Sequence, residues 1–62
     1  MKSYTITQTN APITHVVKAH NELEAVTKCV DKFYPDFFGP KLVNGLYEIY
    51  NVLGIKLSLK IV

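Results

Sequence analysis

The side chains that could carry chemistry in this chain are few: two histidines, one cysteine and five carboxylates in 62 residues. His15 and Cys29 form the one conceivable base–nucleophile pair, because the predicted helix that carries Cys29 lies on the strand face of His15. Such a pair needs hydrogen-bond contact and normally a third group that orients the base, and the sequence specifies neither. We therefore expect His15 to be a partly buried, hydrogen-bonded structural residue and Cys29 to be a small core residue.

No metal site or acid–base pair is predicted. The spacing of His15 and His20 places the two imidazoles on opposite faces of a strand, so they cannot share a metal ion within one chain. The carboxylates are scattered, with no two on one strand face, as general acid–base catalysis would need. A glycine-rich phosphate loop is also absent from the sequence. The sequence thus predicts a protein that is not an enzyme and that binds no cofactor.

Length and composition predict one small globular domain over residues 1–62. Hydrophobic residues make up 48% of the chain and charged residues 19%, which is typical of folded proteins. A chain of this size buries only about 60% of the surface that its unfolded form exposes. A single cysteine excludes a disulfide within the chain. Association with a second copy or with another protein is the most accessible remaining source of stability.

The charge pattern limits the partners that we expect. Every basic residue is a lysine, and the formal net charge is +2. The lack of arginine argues against sequence-specific nucleic-acid recognition, because bidentate contacts to guanine and phosphate favour arginine. Lysine still contacts phosphates as a point charge, so weak and salt-sensitive nucleic-acid binding remains an alternative.

The expected location is the cytoplasm, without membrane contact. No apolar run approaches the roughly 20 residues that span a bilayer. The first residues lack the apolar core of a signal peptide. An unpaired cysteine fits a reducing compartment.

Two strands are predicted before the helix that positions Cys29. Polar and apolar residues alternate over residues 3–8 and 13–19, and the short connection between these segments favours an antiparallel hairpin. Asn21 is a good N-cap, with Glu24 three residues later. The predicted helix covers residues 21–34, and its buried stripe consists of Leu23, Val26, Val30 and Phe33.

The chain after the helix predicts a loop and two further strands. Residues 35–41 contain two prolines, a glycine and two phenylalanines, which indicates a loop. Strands are predicted over residues 42–50 and 55–62. An alternative is one long strand over residues 46–61 that bends at Gly54. The predicted fold class is α+β in the order ββαββ: a four-stranded, mainly antiparallel sheet with the helix on one face.

Two surfaces are candidate binding sites. The third predicted strand is apolar on both faces, so part of it needs cover, either from the loop that holds the two phenylalanines or from another chain. The candidate partner-binding residues are Phe37, Phe38, Leu46 and Tyr50. We expect a protein partner or a homodimer, since symmetric dimers are the commonest soluble oligomers. The alternative site is a lysine-bearing open sheet face that holds nucleic acid through Lys18, Lys56 and Lys60.

Residues 17–26, with the sequence VKAHNELEAV, carry the one resemblance to known proteins. There a strand ends in Val-x-Ala and runs through a polar cap into a Glu-Ala helix start. This junction resembles those of small phage and mobile-element accessory proteins, the DpnD/PcfM-like proteins and some small anti-CRISPR proteins among them. The resemblance implies an accessory protein that acts by binding, as an inhibitor or a regulator. It assigns no functional residues.

Overall fold

A computed structural model describes residues 1–62 and confirms an α+β fold with one helix on an antiparallel sheet. The sheet has five strands in the spatial order β2-β1-β5-β4-β3. The elements are β1 (Lys2–Gln8), β2 (Thr14–Ala19), α1 (Glu22–Phe33), β3 (Phe37–Val43), β4 (Leu46–Asn51) and β5 (Lys56–Ile61).

The predicted count of four strands is one too few, and the dipeptide Asn44-Gly45 is the reason. Both residues have positive φ, 51° and 82°, as the tight two-residue turn of a β-hairpin requires. This turn divides the predicted third strand, residues 42–50. The predicted loop, residues 35–41, therefore supplies most of β3. The order is ββαβββ.

The alternative of one bent strand over residues 46–61 is also wrong. A turn follows Asn51, so β4 and β5 are separate strands that pair with each other. The backbone N–H of Asn51 donates to the carbonyl of Ile55 across this turn. Gly54 adopts a φ of +81° there, which is a turn conformation and not a bulge in a continuous strand.

The helix begins as predicted but buries a different set of residues. The Asn21 side chain accepts a hydrogen bond from the Glu24 backbone N–H at 2.9 Å, which satisfies a free helix donor. The predicted stripe is half wrong, because Leu23 and Phe33 are exposed. The buried residues are Ala25, Val26, Cys29 and Val30. Two of these have small side chains, one turn apart, which lets the helix lie close to the sheet.

The sheet consists of two ribbons that meet at a short junction. The first ribbon is β1 with β2, and the second is β5, β4 and β3. The ribbons pair where Ile6, Thr7 and Gln8 lie opposite Ile61, Lys60 and Leu59, and one further backbone hydrogen bond continues this pairing at each end. The helix packs against β1, β2 and β3. Ile6 and Leu59 are fully buried there, in one cluster with Ile49 and the buried helix residues.

A β-bulge interrupts the outer edge of β3. Phe38 lies opposite Tyr50 and Lys41 opposite Glu48, so two residues of β3, Gly39 and Pro40, occupy the space of one. Such an extra residue is a β-bulge, and a proline in it removes a backbone donor. The outer edge of β3 is therefore interrupted, which protects it from pairing with another strand.

The glycine of this bulge provides a test of how closely β3 approaches β4. A Cβ at Gly39 (φ +118°) would lie 2.9 Å from the carbonyl oxygen of Glu48, whereas a Cβ at Gly54 (φ +81°) meets nothing within 4 Å. We expect Gly54→Ala to lower the free energy of unfolding by about 1–2 kcal/mol, the cost of positive φ. Gly39→Ala adds the backbone contact and should cost clearly more. Urea unfolding of both variants measures this, and equal losses would contradict the close approach.

Candidate functional site

The sheet face opposite the helix, here called the open face, carries a ladder of side-chain pairs from β3 and β4. The pairs, in order from the Asn44-Gly45 turn, are Val43–Leu46, Lys41–Glu48 and Phe38–Tyr50. An aliphatic pair thus lies at one end, an aromatic pair at the other, and a lysine opposite a glutamate between them. Ser58 and Lys56 of β5 continue the last two pairs across the sheet.

The structure separates the four residues predicted to bind a partner. Phe38 and Tyr50 lie directly opposite each other on the open face, and 56% of Phe38 is exposed. Leu46 shares this face but lies four residues from Tyr50, which is about 13 Å along an extended strand. Phe37 points to the helix side, where its ring meets the Tyr34 ring edge-on at 6.2 Å. Of the two adjacent phenylalanines, Phe37 is therefore partly buried against the core, and Phe38 is exposed.

Glu48 organises the charges of the open face. Its carboxylate accepts a hydrogen bond from the Tyr50 hydroxyl at 2.9 Å, and its other oxygen lies 3.5 Å from the Lys56 ammonium group. The hydrogen bond to Glu48 raises the pKa of Tyr50 above its ordinary value, and the charge of Lys56 partly opposes this. The tyrosine ring is thus held in place beside Phe38 by a charged neighbour.

The turn between β4 and β5 carries the most exposed large apolar side chains of the molecule. Val52 is 87% exposed and Leu53 is 80% exposed. Turns usually carry glycine, proline or small polar residues, because these satisfy or relax the turn backbone. Here Asn51 and Gly54, on either side of the apolar pair, satisfy and relax the turn backbone. The turn itself therefore does not require Val52 and Leu53.

The backbone of this turn is fixed by hydrogen bonds. The Asn51 side-chain oxygen accepts from the backbone N–H groups of Leu53 and Ile55, both at 3.0 Å. The Asn51 carbonyl accepts from the Gly54 N–H at 3.0 Å. The turn therefore holds Val52 and Leu53 in one defined position. We call Phe38, Tyr50, Val52 and Leu53 the apolar end, because they all lie at the same end of the second ribbon.

Val52 and Leu53 are not among the binding residues that the sequence predicts. The available signal was an apolar pair bracketed by Asn51 and Gly54, two residues that favour turns. Hydrophobicity alone assigns such a pair to a core. Its location at a turn predicts exposure instead.

The lysines of the alternative site do not form a cluster. Lys56 and Lys60 lie four residues apart on β5, which is about 13 Å along the strand. Lys60 lies opposite Thr7, whereas Lys18 lies opposite Ser3, about another 13 Å along β1. Lys56 is already paired with Glu48. The open face therefore presents separated lysines and no continuous basic groove.

The structure does not bring His15 and Cys29 together as a base–nucleophile pair. The Nε2 atom of His15 lies 3.0 Å from the Tyr34 hydroxyl, which donates in turn to Gln8 at 3.4 Å. The His15 ring stacks on Phe33 at 4.0 Å, on the helix side as predicted. Cys29 is fully buried, and this burial raises the pKa of its thiol. No hydrogen bond joins Cys29 to His15, so the geometry provides no activated nucleophile.

No group of three or more His, Cys, Asp or Glu side chains lies close enough to hold a metal ion. Helix α1 lacks the length and the apolar character to cross a membrane.

Comparisons with protein families, with curated proteins and with solved structures found no significant match to this chain.

The arrangement around Glu48 predicts two opposite shifts in the pKa of Tyr50. Glu48→Gln removes the carboxylate that stabilises the protonated hydroxyl, so the pKa of Tyr50 should fall toward its ordinary value. Lys56→Gln removes a cation that favours the phenolate, so the pKa should rise further. NMR titration of the Tyr50 ring in the two variants and the original protein measures both shifts. Shifts of the same sign in both variants would contradict the arrangement.

Proposed function

We propose that this protein acts by binding another protein, without catalysis, and that the apolar end is the contact surface. The observation that carries the proposal is the rigid turn with Val52 and Leu53 at its tip, 87% and 80% exposed. Contiguous exposed apolar surface is uncommon on monomeric proteins and often marks an interaction site.

The chemistry of the apolar end suits a protein interface. Aromatic side chains such as Phe38 and Tyr50 bury a large area on binding and recur among the residues that dominate binding energy. The hydrogen bonds of Asn51 fix Val52 and Leu53 before binding. A fixed loop loses little conformational entropy when it binds, so more of the contact energy becomes affinity.

Charged groups border the apolar end on one side. Glu48 and Lys56 form an ion pair next to Tyr50, and Lys41 lies opposite Glu48. A polar rim around an apolar centre is the usual anatomy of a protein interface. The mixed sign of these charges supports a protein partner over a uniformly anionic surface.

The biological setting that we propose rests on the sequence. The resemblance of residues 17–26 supports an accessory protein of phage or mobile-element origin that inhibits or regulates its partner. A cytoplasmic location stays a prediction from the unpaired cysteine.

Capture experiments with matched surface variants test the contact surface. The full chain would be immobilised and used to capture binding proteins from lysates of the native host, alongside Leu53→Ser, Phe38→Ser and Leu42→Ser. Leu42 is 60% exposed but lies on the helix side of edge strand β3, so Leu42→Ser is the control. Circular dichroism would confirm that each variant is folded.

We expect Leu53→Ser and Phe38→Ser to weaken binding of the same captured protein about tenfold or more, as loss of an interface anchor does. Leu42→Ser should bind as the original protein does. Equal binding by all three variants would refute the apolar end as the contact surface.

One observation favours a second candidate function, nucleic-acid binding. The aromatic pair Phe38–Tyr50 lies beside Lys56 on an open sheet, and aromatic rings beside cations hold single-stranded nucleic acid by stacking and phosphate contact. Fluorescence anisotropy with single-stranded and duplex oligonucleotides, in low and high salt, separates the two candidates. The protein-binding proposal predicts no binding even at low ionic strength. Salt-sensitive binding that Tyr50→Ala abolishes would favour nucleic acid.

A further inference from the structure

The sheet has two outer edges, and they differ in how well they are protected. Natural proteins interrupt exposed strand edges with prolines, bulges or charges, because an unpaired edge binds further strands. The β3 edge is interrupted by the bulge at Gly39 and Pro40. The β2 edge has neither a bulge nor a proline, and its pairing with β1 is regular from Thr14 to Ala19. Its one charged residue, Lys18, lies near the end of the strand and leaves the centre of the edge uncharged. Val16, in the middle of β2, is 68% exposed.

The ladder of the first ribbon identifies the backbone groups that face outward from β2. Residues of an antiparallel strand bond alternately to one side and to the other. The Gln8 N–H donates to the Ile13 carbonyl, so the odd-numbered residues of β2 face β1. The even-numbered residues Thr14, Val16 and Lys18 therefore direct their N–H and C=O groups to the free edge.

We propose that two copies of this chain pair antiparallel through their β2 edges, with Val16 on the twofold axis. The pairing would join the two five-stranded sheets into one continuous sheet and keep both helices on the same face. It uses a different part of the molecule from the apolar end, so it does not depend on the proposed function.

Twofold symmetry allows five registers, with the axis at any residue of 14–18, because a hydrogen-bonded pair needs an outward-facing residue from each strand. Charge, proline content and the free backbone groups select one of them. An axis at Lys18 would place two lysines directly opposite each other, which is destabilising. An axis at Thr14 would place Val16 opposite Pro12, whose nitrogen cannot donate a hydrogen bond. An axis at Val16 places valine opposite valine and Lys18 opposite Thr14 of the second copy.

An axis at His15 would place Lys18 opposite Pro12. An axis at Val17 would place Thr14 opposite His20, which lies outside β2 and whose N–H already donates to Glu24. Only the axis at Val16 pairs all three outward-facing residues of β2 with one another.

The Val16 register also satisfies the exposed groups of the edge. Each Val16 would donate to and accept from its counterpart, as a hydrogen-bonded antiparallel pair does. The Lys28 ammonium group donates to the Lys18 carbonyl at 3.2 Å. A carbonyl oxygen has two lone pairs, so this contact is compatible with a second hydrogen bond from Thr14 of the other copy. The pairing would cover Val16, the exposed apolar residue at the centre of the edge.

Sedimentation equilibrium of the full chain over a range of concentrations tests the pairing. We expect the apparent mass to rise from 7.0 kDa toward twice that value. Val16→Pro should remain a monomer, because it removes a donor that only the dimer uses, and prolines are tolerated on free strand edges. Leu53→Ser, at the apolar end, should dimerise normally and serves as the control. A monomer at every concentration, or a dimer unaffected by Val16→Pro, would overturn the proposal.

Cysteine cross-linking tests the register without relying on the fold of Val16→Pro. In a Cys29→Ala background, Val16→Cys should form an intermolecular disulfide in oxidised glutathione, because paired Cα atoms about 5.5 Å apart suit a disulfide. Thr14→Cys alone and Lys18→Cys alone should not cross-link. A mixture of those two variants should cross-link, because this register places Thr14 of one copy opposite Lys18 of the other. Cross-linking of Lys18→Cys with itself, or none at Val16→Cys, would refute the register.

Discussion

The burial of Ile6 and Leu59 in one core cluster, at the junction of the two ribbons, is the constraint on which the rest of this structure depends. The two ribbons share three opposed residue pairs and one further backbone hydrogen bond at each end, and these two side chains are fully buried at that junction. The helix lies close to the sheet because Ala25 and Cys29 are small, and its buried side completes the same cluster. Only nine of the 62 residues are buried, so the protein has no second core to hold either ribbon in place. We therefore regard the molecule as one cooperative unit built around the short junction of the two ribbons.

The short junction also explains where the candidate binding surfaces lie. Because the ribbons overlap over so few residues, each extends past the other. The second ribbon ends in the β4–β5 turn, where Val52 and Leu53 are exposed. The first ribbon leaves the β2 edge free at the other side of the sheet. The exposed apolar side chains of both surfaces, Val16 on β2 and Val52 and Leu53 on the turn, lie outside the core cluster.

Local patterns were sufficient to predict much of this fold. Alternation predicted the strands that became β1, β2 and β5, and Asn21 predicted the helix start, because each signal depends on neighbours in sequence. The Asn44-Gly45 turn was also a local signal, but the apolar residues around it obscured the division into two strands. The meeting of Phe38 with Tyr50 could not be predicted, since it depends on the bulge at Gly39 and Pro40. Likewise, no local pattern reports that β1 pairs with β5, whose residues are distant in sequence.

Native-state hydrogen exchange tests most directly whether the two ribbons unfold as one cooperative unit. Amides of the β1–β2 ladder and of the β4–β5 ladder should exchange with the same free energy, equal to that of global unfolding, because both ribbons depend on Ile6 and Leu59. Ile6→Val should lower the free energy of exchange in both ladders together, by about 0.5–1.5 kcal/mol. If the β1–β2 amides exchanged at a markedly lower free energy than the β4–β5 amides, or if Ile6→Val affected one ladder alone, the ribbons would be independent and the account would be contradicted.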